Sequence, residues 1–332
     1  MIKTWGRMTA IAAGTALVVG ACGSSSSSSS SSATTVAPSS QSSTAAPLTN
    51  MPIAYAATGA GYSDLYVGVT DGIFKKYGLN VTLKQITPAN LVSALISGSA
   101  QIGGAVADGV ASAILKGESL KFVALTEGTY NLQLWVNKNI TSVSQLAGQT
   151  LALTTQGSET DFGLTDLLKQ NGMSATSVTR KFLVSAAQQI SAVRSGAAAG
   201  GLFQPPTAQS LAQVGGHVLT SLSNLPYAVG AFSATSSYVA SHPQAVKDFY
   251  EAETANLAFL RAHPKQTEAA IEKYNPQTSA ANAAIAYKFF RNVWKTTPVV
   301  TTSLIQAAFQ RAASKDKTTP PSSVTNYIYT AS

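Results

Sequence analysis

Asp108, Glu127, Glu159 and Asp161, together with Tyr62, Tyr130 and Tyr227, fall just after short apolar runs, and the segments that hold them contain no lysine or arginine. Carboxylates beside aromatic faces do the chemistry of recognition: a neutral or cationic nitrogen-bearing ring is stacked by tyrosine and hydrogen-bonded by the acids. An anion such as a sulfonate or nitrate calls instead for cationic clamps or dense N–H groups. Arg180 and Arg194 are the cations whose reach the sequence leaves open. Other chemistries lack their residues. Cys22 is the only cysteine, so no disulfide forms within the chain and cysteine metal centres are excluded. The three histidines, His217, His242 and His263, show no two-histidine or His-x-Glu spacing. No G-x-S-x-G elbow occurs either. The expectation is no catalytic residue, no metal and no cofactor, with a carboxylate-only active site as the open alternative.

These residues need elements to hold them. From Met51 short apolar strands alternate with amphipathic helices. PIAYAA, NVTLKQI, QIGGAV and LKFVALT read as strands. Between them lie a helix from the N-cap Ser63 to Gly78, one from Pro88 to Gly98, and one over 108–116. The rhythm restarts with LALTT, a helix over about 158–170, RKFLV, a helix around 187–194, GLFQ, a helix from Thr207 and HVLTSL. After Thr235 the chain turns helical to about Ala313, and NYIYT is a tail segment able to dock. Strand–helix repetition with short connections predicts two mainly parallel sheets wrapped by helices.

Ligands of such sheets bind beyond the carboxyl ends of strands. The candidate ligand-binding residues are therefore Thr58, Gly61 and Tyr62 after the first strand and Asp108 after QIGGAV. Glu127 and Tyr130 follow LKFVALT, and Gly157, Ser158 and Thr160 open the helix after LALTT. Phe203 and Gln204 end GLFQ, and Tyr227 lies on the return segment. Each has a second reading. Ser158 and Asp108 are equally read as helix caps, Glu127 as solvated, and the tyrosines as packing aromatics. The N–H groups around Gly157 and Ser158 would alternatively hold a ligand oxygen.

The N-terminus addresses the chain elsewhere. Lys3 and Arg7 precede an apolar stretch from Met8 to Ala21, too short to span a membrane. A charged start, a short apolar centre and small residues before a cut site make an export signal over 1–21. Val19-Gly20-Ala21-Cys22 resembles the lipobox of bacterial lipoproteins. That resemblance implies cleavage before Cys22, a diacylglyceryl group on its sulfur, and anchoring on the outer face of the membrane. Residues 22–50 are rich in serine and free of charge, a disordered leash between anchor and body. The formal charge of +8, less the two of Lys3 and Arg7, leaves +6 spread without a basic stripe. Nucleic acid is not the expected partner.

The order of segments resembles the extracytoplasmic solute-binding proteins of ABC importers for alkanesulfonates, taurine, nitrate and thiamine-pyrimidine precursors. The stretches that carry it are DLYVGVTDGIFKKYGLNVTLKQI, LVSALISGSAQIGGA (with Gln101 where Asp is usual), SLKFVAL, SVSQLAGQTLALTTQGSETDFGLTDLLKQNG and SHPQAVKDFYEA. They cover roughly residues 51–300. The resemblance implies a two-lobed periplasmic-binding-protein-like α/β fold, joined by two crossing segments and closing on a ligand. One lobe is 51–128 with 231–332, the other 129–230. It also implies a permease partner, a small-molecule solute and a monomer. The charge of the loops points to a pyrimidine-like or amine-bearing solute, with a sulfonate- or nitrate-type anion as the alternative within the family. A sensor, a structural surface lipoprotein and a pyrimidine-synthase-like enzyme are the rivals from other classes.

Overall fold

The computed structural model describes residues 47–56 and 59–330. Cys22, the signal segment and most of the leash lie outside the described residues, as does Thr58. The first strand starts at Thr49, two residues before Met51, because Thr49 and Asn50 pair with Leu79 and Asn80.

The chain first forms β1 (Thr49–Tyr55), α1 (Ser63–Thr70), α2 (Ile73–Lys76), β2 (Leu79–Gln85), α3 (Pro88–Ile96), β3 (Ile102–Ala105), α4 (Ala107–Leu115) and β4 (Leu120–Leu125). It continues as β5 (Gln133–Val136), β6 (Thr150–Leu153), α5 (Glu159–Gln170), β7 (Thr179–Phe182), α6 (Ala186–Arg194), β8 (Gly200–Phe203) and β9 (His217–Ser221). Then come β10 (Ala231–Thr235), α7 (Ser236–Ser241), α8 (Pro243–Ala262), α9 (Pro264–Tyr274), α10 (Ala280–Phe290) and α11 (Thr302–Asp316). The expected single helix from Ser63 to Gly78 is two. Gly72 adopts a left-handed φ of 68° and breaks the ladder between α1 and α2. Ser63 donates its hydroxyl to the Ala60 carbonyl and is the first helical residue, not the cap. The helix expected from Thr207 is a 3₁₀ turn over Gln209–Val214.

Among the described residues, ten strands make two sheets of five, ordered β2-β1-β3-β10-β4 and β7-β6-β8-β5-β9. Each is mostly parallel, with one antiparallel strand. β1 runs parallel to β2 and β3, but β10 is antiparallel to both β3 and β4. In the second sheet β6 runs parallel to β7 and β8, and β5 is antiparallel to β8 and β9. The two orders follow one plan. In each, the antiparallel strand is the one that enters directly from a segment crossing between the sheets.

Alternation along the strands buries both faces. Met51, Ile53 and Tyr55 of β1 pack in one cluster with α1, α8, α9 and α10, while Ala54 faces a second with α3, α4 and α11. In β6, Leu151 and Leu153 face α5, while Ala152 joins Trp135 and Val193 against α6. The tail docks as Ile328 bridges Phe122 and the Tyr329 N–H reaches the Phe122 carbonyl at 2.8 Å.

Gly200 sits where β5 passes close to β8. A Cβ there would lie 2.4 Å from the Trp135 carbonyl oxygen, a backbone atom that cannot swing aside. The Gly200→Ala variant is expected to lose about 1–3 kcal/mol in denaturant unfolding. Gly109→Ala, in α4 with nothing within 4 Å, is expected to gain about 0.5–1 kcal/mol from helix propensity.

Candidate functional site

A cavity of about 770 Å³ opens between the loops of the two sheets. The first sheet's side gives it Tyr62 from the turn after β1, Asp108 from the start of α4, and Arg311 and Lys315 from α11. The second gives Ser158 and Thr160 from the start of α5, and Phe203 and Gln204 from the end of β8. Tyr227, on the crossing back to β10, closes the wall between them. A second cavity of about 60 Å³ shares Tyr62, Val106, Glu159 and Gln204 with the first and is completed by Gly61, Glu127 and Asn131.

Of the residues expected from sequence, Tyr62, Asp108, Gly157, Ser158, Thr160, Phe203, Gln204 and Tyr227 line the large cavity. Gly61 and Glu127 line only the small one. Tyr130 lines neither. It is wholly buried behind Tyr227, their rings stacked 4.2 Å apart, and its hydroxyl donates to Asp166 at 2.7 Å. Its reading as a ligand contact is corrected to that of a backing ring.

Asp108 is not a free acid. The Arg311 guanidinium grips both its oxygens, Nε to Oδ2 at 2.8 Å and Nη2 to Oδ1 at 2.7 Å. The Tyr227 hydroxyl donates to Oδ2 at 3.0 Å. Arg311 also lies 4.3 Å over the Tyr227 ring and 5.7 Å from that of Phe162. Burial works against the guanidinium charge, yet the bonds it donates to Asp108 leave its pKa above the ordinary arginine value. Asp161 is paired too. It takes Arg180 Nε at 2.8 Å and the Gly157 N–H at 2.8 Å. A carboxylate therefore already occupies the anion position by this helix start, and Glu159 and Asp161 both sit in its first turn.

Ser158 is in the N-cap position with extended backbone, but its side chain makes no cap bond. Its hydroxyl joins those of Thr154 and Thr160 in a triangle of 2.8, 2.8 and 3.0 Å. Thr160 in turn accepts the Thr154 N–H at 3.0 Å. Tyr62 donates its hydroxyl to the Gly104 carbonyl at 3.0 Å.

Sequence reasoning missed the cations. Arg180 and Arg194 do not line the cavity. Arg180 holds Asp161, and Arg194 reaches the Ser210 carbonyl at 3.3 Å. Arg311, Lys315 and Lys116 line it instead. Lys116 donates to Ser112 at 3.0 Å and lies 3.2 Å from Asp316. The Lys315 stem packs against Gly157, which has a left-handed φ of 71°. A signal for Arg311 was present: it abuts the buried stripe Ile305, Ala308, Phe309 and Ala312, where a charge needs a partner.

Two acids remain without cations. Burial pushes the Glu159 carboxyl up to about 7, with the Asn131 backbone N–H opposing and Asp108 adding to the rise. Glu127, almost wholly buried, is raised well above the usual range by burial, with Asn131 opposing and Asp64 and Glu159 adding. Asp64 of α1 is likewise raised by burial, to about 6. Among the described residues no group of three or more His, Cys, Asp or Glu side chains is arranged to hold a metal.

The sequence matches the family model described as NMT1/THI5 like over residues 60–267. No curated protein matches it. Among solved structures, the periplasmic aliphatic sulphonate binding protein SsuA of Escherichia coli is similar at 19% identity and a TM-score of 0.69, over 82% of this chain and 94% of that one. The alkanesulfonate-binding protein SsuA of Xanthomonas axonopodis pv. citri, bound to MOPS, follows at 18% and 0.66, over 86% and 99%. The ligand-binding component of an ABC-type import system from Staphylococcus aureus, with zinc bound, gives 15% and 0.66, over 84% and 96%. The fold is that of the periplasmic binding proteins.

A carboxyl whose folded pKa exceeds its unfolded one keeps its proton longer in the native state. Its contribution is full below the unfolded value of about 4 and is lost as pH climbs through the folded value. For Asp64 and Glu159 that window ends near 6 and 7. The melting temperature is expected to fall between pH 5 and pH 7.5, and less steeply in Glu159→Gln. Arg311→Met strands the Asp108 charge and is expected to cost about 2–4 kcal/mol in chemical denaturation, most of it regained in Arg311→Met with Asp108→Asn.

Proposed function

As the chain belongs to the NMT1/THI5-like family, we propose that it captures a small solute between its two lobes and delivers it to an ABC importer. The observation that carries this reading is the 770 Å³ cavity walled by loops of both sheets and by the crossing residue Tyr227. A solute there touches both halves at once, so binding favours closure by the contacts made on the second side. The lobes are taken as 51–128 with 231–332, and 129–230. The role is that of a monomeric carrier, not an enzyme. Its place is outside the cytoplasmic membrane, anchored through Cys22 and its leash with the permease as partner.

The preferred solute is planar and nitrogen-bearing, pyrimidine-like or with an amine. Support comes from the aromatic walls of Tyr62, Phe203 and Tyr227 and from the unpaired acids Glu127 and Glu159. A sulfonate-type anion is the second reading, favoured by Lys116 and Lys315 on the cavity wall and in keeping with the sulfonate binders among similar structures.

The test is a thermal-shift and calorimetry screen of the full-length chain against pyrimidines, aromatic amines, polyamines, sulfonates and nitrate. A solute at a hundred times its Kd is expected to add about 2.7 kcal/mol of stability and to be recovered unchanged. That gain is expected to shrink in Tyr62→Ala and Gln204→Ala. A screen in which no solute raises the melting temperature would overturn capture, and turnover of a bound solute would overturn the carrier role.

A further inference from the structure

The small cavity that adjoins the cleft is more than a packing defect. At about 60 Å³ it has space for more than a single water or for one compact polar head group. Its hydrogen bonding is one-sided. The Gln204 side-chain amide donates to Asn131 Oδ1 at 2.8 Å, and Asn131 Nδ2 donates to Glu127 Oε2 at 2.8 Å. That relay fixes the direction of both amides and uses one of the two N–H donors of each. The Tyr62 hydroxyl is spent on the Gly104 carbonyl. Glu127 Oε1 and Glu159 Oε1 are left, both buried and both without a partner among the described residues.

Glu127 is about 1% exposed, and leaving its free oxygen unpaired costs the desolvation of the group. None of the described residues around this space is a lysine or arginine. Gly61 is built for the arrangement. A Cβ there would stand 3.0 Å from Glu127 Oε1. Asp108 is satisfied by Arg311 and Tyr227, and the other unpartnered buried acids, Asp64 and Glu253, line neither cavity.

We propose that this annex is the subsite for a cationic, multiply donating head group, an amidinium or primary ammonium, held between Glu127 Oε1 and Glu159 Oε1 while the body of the solute fills the main cleft. The inference rests on the capture reading above and narrows its solute to a protonated nitrogen base. A planar amidinium offers paired N–H donors and delocalised charge, which matches two acceptor oxygens as a guanidinium matches carboxylate. The raised pKa values of both glutamates, both caused chiefly by burial, fit acids that await a cation.

The deciding comparison is benzamidine against benzamide, near-isosteres that differ in charge, titrated calorimetrically into the full-length chain. Wild type is expected to bind benzamidine at least ten-fold more tightly than benzamide. Glu127→Gln and Glu159→Gln are each expected to erase most of that preference while leaving benzamide affinity within about two-fold. Gly61→Ala keeps both acids but fills the annex, and is expected to weaken benzamidine alone, so the inference stays testable should a glutamate variant fold poorly. Equal binding of the two probes overturns it, as does a preference that survives both glutamate variants. Binding of neither probe also overturns it. In that event a thermal shift with benzenesulfonate leaves capture standing, and no shift with any solute takes both readings down.

Discussion

The architecture depends on a hydrogen-bonding constraint at the centre of each sheet. β3 and β4 would present unpaired backbone edges in the interior of the first sheet, and β8 and β9 would do so in the second. Buried N–H and C=O groups must be paired, and each gap is filled by one antiparallel strand, β10 or β5. Both fillers arrive from the opposite sheet, so the chain has to cross twice. The crossings run side by side and bond to each other: Tyr130 N–H to the Leu225 carbonyl at 3.1 Å, Tyr227 to Gly128 at 3.0 Å and Val229 to Glu127 at 3.2 Å. A narrow two-stranded tie is what a hinge requires, and it fixes Glu127 and Tyr227 at the junction where the cleft opens.

Charge is then sorted by the cost of desolvation. Two of the four loop carboxylates are neutralised by arginines, Asp108 by Arg311 from 203 residues away and Asp161 by Arg180 from 19 away. Those pairs are structural. The first ties α4 to α11 and to the returning crossing, and the second steadies the loop at Gly157 before α5. Glu127 and Glu159 have no such partner and retain protons where an exposed glutamate would not. Chains under selection for stability alone replace such groups readily, since a buried unpaired acid only costs free energy. Their presence beside an open space supports the binding role proposed above.

Much of this was legible in the residues. The alternation of short β-branched strands with capped helices marked two α/β units, and strand-end loops marked most of the cavity wall, from Tyr62 to Tyr227. What failed did so for physical reasons. The antiparallel strands are invisible to local pattern, because FSAT and QLWV have the same period whichever way they run. Tyr130 reads like Tyr227, each a few residues before a strand, but which ring faces the cavity depends on how the two crossings stack. The cationic side chains of α11 were hidden by distance: nothing in the 200 residues between Asp108 and Arg311 announces that α11 packs along α4. Reading the loops as acid without base followed directly from that blind spot.

The cavity that results is graded rather than uniformly acidic. Lys116, with 60% of its side chain exposed, and the exposed Lys315 stand in contact with solvent, where salt screens them within about 8–10 Å. The unpaired acids lie inward, in a region where the same unit charge acts several times more strongly. On the capture reading proposed above, exposed lysines would influence how a charged solute approaches, and buried glutamates what stays. The anion-binding and cation-binding features of the cleft are in this sense not competitors for one property. They lie at different depths, and on the proposed reading selectivity at equilibrium would be set at the deeper one, where an unpaired buried acceptor costs most.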